Sequence, residues 1–259
     1  MYQLEHIGFA HGAKMAVEDL TLTFEKGHFY GIIGPNGSGK STLIDLLAGH
    51  LRPRQGRIRL NGRAMDRYAR KALARRIALV PQDYEINFPY TCHEIVMMGR
   101  YPHIARFARP GRHDRYLVDT VIRQAGLTAF THRYINQLSG GERQRVVFAR
   151  SLAQETPVLL LDEATSNLDM QHTIGLLDMA ARRVSDDTLV IAVMQDVNLA
   201  AMYCDRLVCL QGGRVYASGP LASVLTAETL QTVFNVRARV THDDFAGTLQ
   251  VALKREAHA

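Results

Sequence analysis

Gly34-Pro35-Asn36-Gly37-Ser38-Gly39-Lys40-Ser41 is a complete G-x-x-x-x-G-K-[ST] loop. Glycines at this spacing let successive backbone N–H groups turn inward around phosphate oxygens. Lys40 then reaches the β- and γ-phosphates of a nucleoside triphosphate, the Ser41 hydroxyl binds Mg²⁺, and Thr42 adds its backbone and hydroxyl. A second chemical pair stands at Asp162-Glu163, where Asp162 suits the Mg²⁺ shell and Glu163 suits orienting or deprotonating an attacking water. Each feature has an inert alternative: a glycine turn capping an ordinary helix, or a solvated acidic pair. Together in one chain they point to binding and hydrolysis of a triphosphate.

The elements that must position these groups are legible around them. Phe29-Tyr30-Gly31-Ile32-Ile33 is a short apolar run that reads as a buried parallel strand, and Ser41 to Ala48 has an apolar helical face. The loop therefore joins a strand to a helix N-terminus, which adds unsatisfied N–H donors and the positive end of the helix dipole. Pro157-Val158-Leu159-Leu160-Leu161 reads as a strand buried on both faces, hence parallel, with Asp162 and Glu163 at its C-terminal end, where doubly wound sheets bind ligands. Residues 1 to roughly 80 are β-rich, with a short basic helix over Arg70–Arg76 and a strand over Ile77–Pro81. The pattern predicts helices over Thr91–Arg100 with Thr91 as N-cap, over Tyr116–Ala125 ended by Gly126, and over 141–153. Further strands are expected near 189–194 and 206–210, then a hairpin turn at Gly212-Gly213 into Arg214–Gly219, and short helices over Leu221–Leu225 and Ala227–Phe234.

Composition bounds the rest. With 259 residues the chain is long enough for one α/β domain with an inserted lobe. No apolar run has the length of a membrane-spanning helix, and Met1-Tyr2-Gln3-Leu4-Glu5 reads as the start of a strand rather than a leader. Cys92, Cys204 and Cys209 are scattered without metal spacing and read as reduced, buried thiols. His93, His103 and His113 share one region, but their ten-residue gaps give no local ligand geometry, so they read as surface or interface histidines. The formal charge is +6, with basic residues clustered at Arg52-Pro53-Arg54, Arg63–Arg76 and Arg100–Arg115. Three readings stand: nucleic-acid binding, proximity to anionic headgroups and permease loops, or a solvated face.

These motifs closely resemble the nucleotide-binding subunits of ATP-binding cassette (ABC) transporters, over nearly the whole chain and in the family's order. The resemblance implies an α/β P-loop NTPase cassette with an antiparallel β subdomain and an inserted α-helical subdomain at about 83–150, the ATPase domain spanning 1–235 and a C-terminal tail 236–259. Gln82, in Val80-Pro81-Gln82-Asp83, matches the Q-loop, which in the family touches Mg²⁺ or water and faces the membrane partner. Leu138-Ser139-Gly140-Gly141-Glu142 matches the signature motif, which contacts the γ-phosphate of ATP held by the opposite subunit, so a second copy is implied. Ser166-Asn167-Leu168-Asp169 matches the D-loop, which reports across that dimer.

Two positions depart from the family. His11 stands where an aromatic, usually tyrosine, stacks on adenine, with Phe9 as the alternative, though Phe9 reads as facing the core of the first strand. Gln195 stands where the family usually has histidine; glutamine keeps a donor and an acceptor but cannot become cationic, which predicts slower hydrolysis unless it substitutes adequately.

Met98-Gly99-Arg100-Tyr101-Pro102-His103 is similar to importers of iron–siderophore complexes, haem and vitamin B12, and Asp196–Ala201 and Gly219-Pro220 resemble the same group. The plainer reading of Tyr101-Pro102-His103 is a helix end. The resemblance implies ATP and Mg²⁺ as cofactors, membrane permease subunits as partners, a substrate-binding protein as an indirect one, and a place on the cytoplasmic face of a bacterial or archaeal membrane. The alternative is a non-transport ATPase switch acting on a soluble or nucleic-acid partner. The chain carries neither the long insertion of repair-type ATPases nor the tandem cassettes of ribosomal ones, so nucleic acid is not expected as a partner.

Overall fold

A computed structural model describes residues 1–82, 84, 86, 88–166 and 168–255. The chain forms two compact units, Met1–Arg67 with Ile191–Ala259, and Tyr68–Val190. The first unit opens with β1 (Tyr2–His11) and β2 (Lys14–Phe24), then β3 (His28–Ile33), α1 (Lys40–Ala48), β4 (Gln55–Leu60) and β5 (Arg63–Ala64). Four of these strands make an antiparallel sheet in the order β2-β1-β4-β5. Buried and exposed residues alternate along β1 and β2, as expected of a sheet with one covered face. Register shifts break the alternation in places, among them the end of β1 on both sides of Phe9, where Gly8 and Ala10 are buried and Phe9 only half so. Phe9 therefore does not join the core as its sequence position suggests. Tyr2 does, and its hydroxyl donates to the Leu47 carbonyl at the end of α1, 2.8 Å away.

The second unit carries α2 (Arg70–Ala74), β6 (Ile77–Val80), α3 (Cys92–Met98), α4 (Arg112–Gln124), α5 (Gly140–Ala153), β7 (Val158–Leu161) and α6 (Met170–Ala181), with β8 (Leu189–Val193) running out of it. β6 and β7 pair in parallel, Ile77 opposite Val158 through Val80 opposite Leu161. Thr91 caps α3 in a reciprocal box with Glu94, as its sequence predicts. α4 begins at Arg112, not Tyr116, because the Asp114 carboxylate accepts the Gly111 N–H at 2.9 Å and starts the helix early. Val96, Val118, Val147 and Phe148 fill the core of the helical lobe, where α3, α4 and α5 pack together.

Arg100 does not fit the solvated-face reading, one of the three open for the basic clusters. It belongs to a basic cluster but is not on a solvated face: only 3 % exposed, it donates to Asp114 at 2.9 Å, to the Ala153 carbonyl at 2.8 Å and to Glu155 at 2.9 Å. The following residues do more than end a helix. Arg75 donates to the Pro102 carbonyl at 2.7 Å, Lys71 to that of Ile104, and a His103 ring nitrogen lies 2.8 Å from the Gln154 carbonyl oxygen.

The chain then completes the first unit with α7 (Val197–Tyr203), β9 (Arg206–Gln211), β10 (Arg214–Pro220), α8 (Leu221–Val224), α9 (Ala227–Phe234), β11 (Ala238–Asp243) and β12 (Thr248–Leu253). β9 lies parallel to β3 and antiparallel to β10, so β3 runs beside a later strand along an apolar, buried stretch. The Gly212-Gly213 turn is present, with both residues at positive φ, and it also braces the phosphate loop. The Gly213 N–H donates to the Ser38 carbonyl at 3.2 Å, and the Gly213 carbonyl accepts the Glu18 N–H at 2.8 Å. The C-terminal stretch holds a hairpin of β11 and β12 that the sequence reading leaves as a tail. Asn198 of α7 pairs its amide with the Val251 backbone, accepting its N–H at 2.7 Å and donating to its carbonyl at 3.3 Å. The three cysteines are buried, and burial pushes the Cys209 thiol up to about 12.

Arg100→Met will cost about 3–5 kcal/mol in urea unfolding, because it strands two carboxylates that were built around a buried guanidinium. Burial raises the Asp114 carboxyl, but the Gly111 N–H and Arg100 hold its net value below the usual range. A depressed carboxylate stabilises fully above its unfolded pKa of about 3.9 and loses that contribution as pH falls through the folded value. The wild-type advantage over Arg100→Met will therefore shrink in acid.

Candidate nucleotide site

In the first unit the phosphate loop runs from β3 into α1. Gly34 (φ 153°) and Gly39 (φ 98°) occupy backbone regions that suit glycine. Space forbids anything larger as well: a Cβ on Gly34 would lie 2.3 Å from the Leu210 carbonyl oxygen, and one on Gly39 2.4 Å from that of Ala16. No side chain caps the start of α1, and such a helix start directs the positive end of its dipole toward an anion. Ser38 is 2 % exposed, and its Oγ has no hydrogen-bond partner among the described residues. Lys40 is 6 % exposed and folds back on the loop, its Nζ donating to the Gly34 carbonyl at 2.8 Å and the Pro35 carbonyl at 3.0 Å. A buried ammonium, an unspent hydroxyl and an uncapped helix start gather hydrogen-bond donors suited to polyphosphate.

Two rings stand beside the loop. His11 Nε2 lies 3.3 Å from Thr42 Oγ1, and the Phe9 ring meets that of His11 edge-on with centroids 5.0 Å apart. The bulge thus places both candidate base platforms together rather than choosing between them. Gln195 follows β8 and is exposed, and Asp196 after it caps α7 by accepting the N–H groups of Asn198 and Leu199 at 2.8 and 3.2 Å.

In the second unit the acidic pair follows β7. The Asp162 N–H donates to the Val80 carbonyl at 2.9 Å, which continues the ladder past the strand ends. Gln82, just beyond β6, donates through Nε2 to Glu163 Oε2 at 3.0 Å. Glu163 itself has φ +47°, a left-handed conformation that costs a non-glycine residue about 1–3 kcal/mol. The fold thus holds a strained carboxylate against an amide, an arrangement able to orient a water. Asp83 and Asn167 lie outside the described residues.

The signature residues open α5. Ser139 is its N-cap: Ser139 Oγ accepts the Glu142 N–H at 3.3 Å, and Glu142 accepts the Ser139 N–H at 2.8 Å. The Ser139 N–H first, and then the Ser139 side chain, hold the Glu142 carboxyl below its usual range. Gly140 and Gly141 form the first turn. Asp169 caps α6, accepting the His172 N–H at 2.9 Å, and that bond together with the His172 side chain lowers its carboxyl. Sequence reasoning missed two supports: Gly213 beneath the loop, read only as a hairpin turn, and Gln144, whose buried amide donates to the Ala164 carbonyl beside Glu163 at 3.0 Å. A polar residue on the apolar face of α5 was the available signal. His93, His103 and His113 do not converge, and among the described residues no three metal-ligating side chains cluster.

The family model for the ABC transporter matches residues 17–166. A cobalamin import ATP-binding protein of Halobacterium salinarum is 41 % identical over 91 % of the chain, which spans 59 % of that relative's length. A hemin import ATP-binding protein of Bradyrhizobium diazoefficiens is 42 % identical, covering 93 % of this chain and 91 % of its own. A ferric enterobactin transport ATP-binding protein of Escherichia coli is 38 % identical over 98 % and 94 %. Among solved structures, a chain described as a metal-chelate type ABC transporter in an inward-facing conformation has a TM-score of 0.83 at 29 % identity, covering 98 % and 97 %. The dimeric cassette MJ0796 bound to ADP and Pi has a TM-score of 0.74 at 27 % identity, covering 85 % and 99 %. No helix among the described residues is long and apolar enough to cross a membrane. The phosphate loop, the acidic strand end, the capped glycine turn and these likenesses agree: the chain belongs to the ABC transporter family and folds as its ATPase cassette.

Proposed function

We propose that the chain is the ATP-binding and ATP-hydrolysing subunit of an importer for an iron chelate such as a siderophore, for haem or for cobalamin. The observation that carries the ATP half is the glycine-walled loop with buried Lys40 and the unspent Ser38 hydroxyl. The import half rests on the names of the relatives, which are import or transport proteins for cobalamin, hemin and ferric enterobactin.

On this reading Lys40 exchanges the Gly34 and Pro35 carbonyls for phosphate oxygens, and the Gly34–Thr42 backbone supplies N–H donors. His11, with Phe9 beside it, stacks on adenine. Ser41, Gln82 and Asp162 offer the hard oxygen atoms that suit Mg²⁺, which neutralises phosphate charge when bound. Glu163, held by Gln82, accepts the proton of the attacking water, and Gln195 offers a neutral donor and acceptor near the γ-phosphate. Two copies face each other, so that Ser139, Gly140, Gly141 and Glu142 of one meet the ATP of the other, and Asp169 lies at their seam. The dimeric MJ0796 cassette supports that arrangement. ATP closes the pair because its γ-phosphate touches both copies, and hydrolysis reopens it. Closure moves permease subunits on the cytoplasmic membrane face, and a separate binding protein delivers the cargo.

ATP turnover by the isolated chain and by Glu163→Gln tests this directly. Turnover will fall at least about 100-fold in the variant while ATP-dependent dimers persist in size-exclusion chromatography. Failure of both forms to bind ATP sinks the reading. Gln195→His will raise turnover with little change in ATP affinity, and an unchanged rate would mean that glutamine serves as well. Gly213→Ala will weaken ATP affinity about tenfold by calorimetry, since a Cβ there lies 2.9 Å from the Ala16 carbonyl at φ +80° and removes the loop's support.

A further inference from the structure

The segment between α3 and α4 raises a bulky aromatic ring on a basic loop. Phe107 is 93 % exposed and sits at φ +67°, a conformation that a phenylalanine adopts only under strain. Among the described residues no burial offsets that cost: the ring packs on no core, and the Arg106 guanidinium lies 5.0 Å from its centroid. The tip is a tight turn, with the Ala108 N–H donating to the Ala105 carbonyl at 3.0 Å. Its base is fastened by Lys71 on Ile104, Arg75 on Pro102 and His103 on the Gln154 carbonyl. The loop is thus a held projection rather than a slack connection.

Its charge has one sign. Arg106, Arg109, Arg112 and Arg115 are exposed, and so are Arg70, Lys71 and Arg75 of the helix that anchors it. Asp114 is the one acid between Gly99 and Val118, and it is tied to Arg100 and the Gly111 N–H. A projecting turn that bears one large exposed ring on a segment rich in exposed arginines matches the interface of a bilayer, where the ring reaches the acyl boundary and the guanidinium groups meet phosphate. Single-stranded nucleic acid is bound instead in grooves that track a backbone past successive stacking rings, and this tip is no groove.

We propose that Phe107 and the arginines around it form a docking surface for anionic phospholipid headgroups, by which the chain contacts the membrane directly and not only through a permease. The proposal rests on the importer reading only in placing the chain beside a membrane.

The test is flotation of the full chain with phosphatidylglycerol–phosphatidylcholine vesicles and with phosphatidylcholine alone, ATP affinity being measured on the same samples. Wild type will float with the anionic vesicles, and salt will release it. Each cation near such a surface is worth about a factor of five, so the Arg106→Glu/Arg109→Glu double variant will partition at least about 25-fold less. Phe107→Ala will partition several-fold less at unchanged salt dependence. ATP affinity will be unaltered in both. Equal binding to neutral vesicles, no binding to either, or variants that float like wild type would overturn the proposal. So would a single-stranded oligonucleotide that binds more tightly than the vesicles through the same arginines. A chain that floats but binds no ATP refutes the importer reading and leaves this one standing.

Discussion

The carbonyls of Leu210 and Ala16 press so closely on the phosphate loop that no Cβ fits at Gly34 or Gly39. The remainder of the first unit is arranged to keep that contact. β9 delivers Leu210 beside β3, and β2 delivers Ala16. The Gly212-Gly213 turn returns to hydrogen-bond both Ser38 and Glu18. A loop squeezed from several sides cannot relax its N–H groups away from the ligand space, so its donors are oriented before any phosphate arrives. The glycines are therefore a requirement of packing as much as of chemistry.

The helix starts that bear candidate site residues differ in their caps. α1 begins without a side-chain cap, whereas α5, α6 and α7 begin with Ser139, Asp169 and Asp196 as caps. An uncapped start keeps its partial positive charge for a bound anion, while a capped start has spent part of it on its own side chain. Ser139 Oγ accepts the Glu142 N–H through a lone pair, so on the proposed reading it would meet a phosphate by donating its O–H.

Where chemistry fixes local backbone, the sequence is readable. The phosphate loop, the strand before it, the Thr91 cap and the acidic strand end all stand where their residues indicate. What escapes is set by distant partners. Phe9 leaves the core because a bulge turns it, and alternation alone cannot register an extra residue. Arg100 is indistinguishable in sequence from its exposed neighbours, and only Asp114 and Glu155 make it a buried ion. The hairpin of β11 and β12 is hidden because its strands are half-exposed and lack a strong apolar pattern. The supports at Gly213 and Gln144 act through backbone contacts made across the fold, which no local spacing encodes.

That hairpin has a consequence for how the protein is made. Asn198 stands three positions beyond Gln195, and the backbone that receives its amide comes 53 residues later. A ribosome adding about 5–20 residues per second leaves the helix after Gln195 unlatched for several seconds after it emerges. Through that interval α7 has the Asp196 cap at its start but not the clamp on its Asn198 amide, so the helix is completed only when the hairpin folds against it.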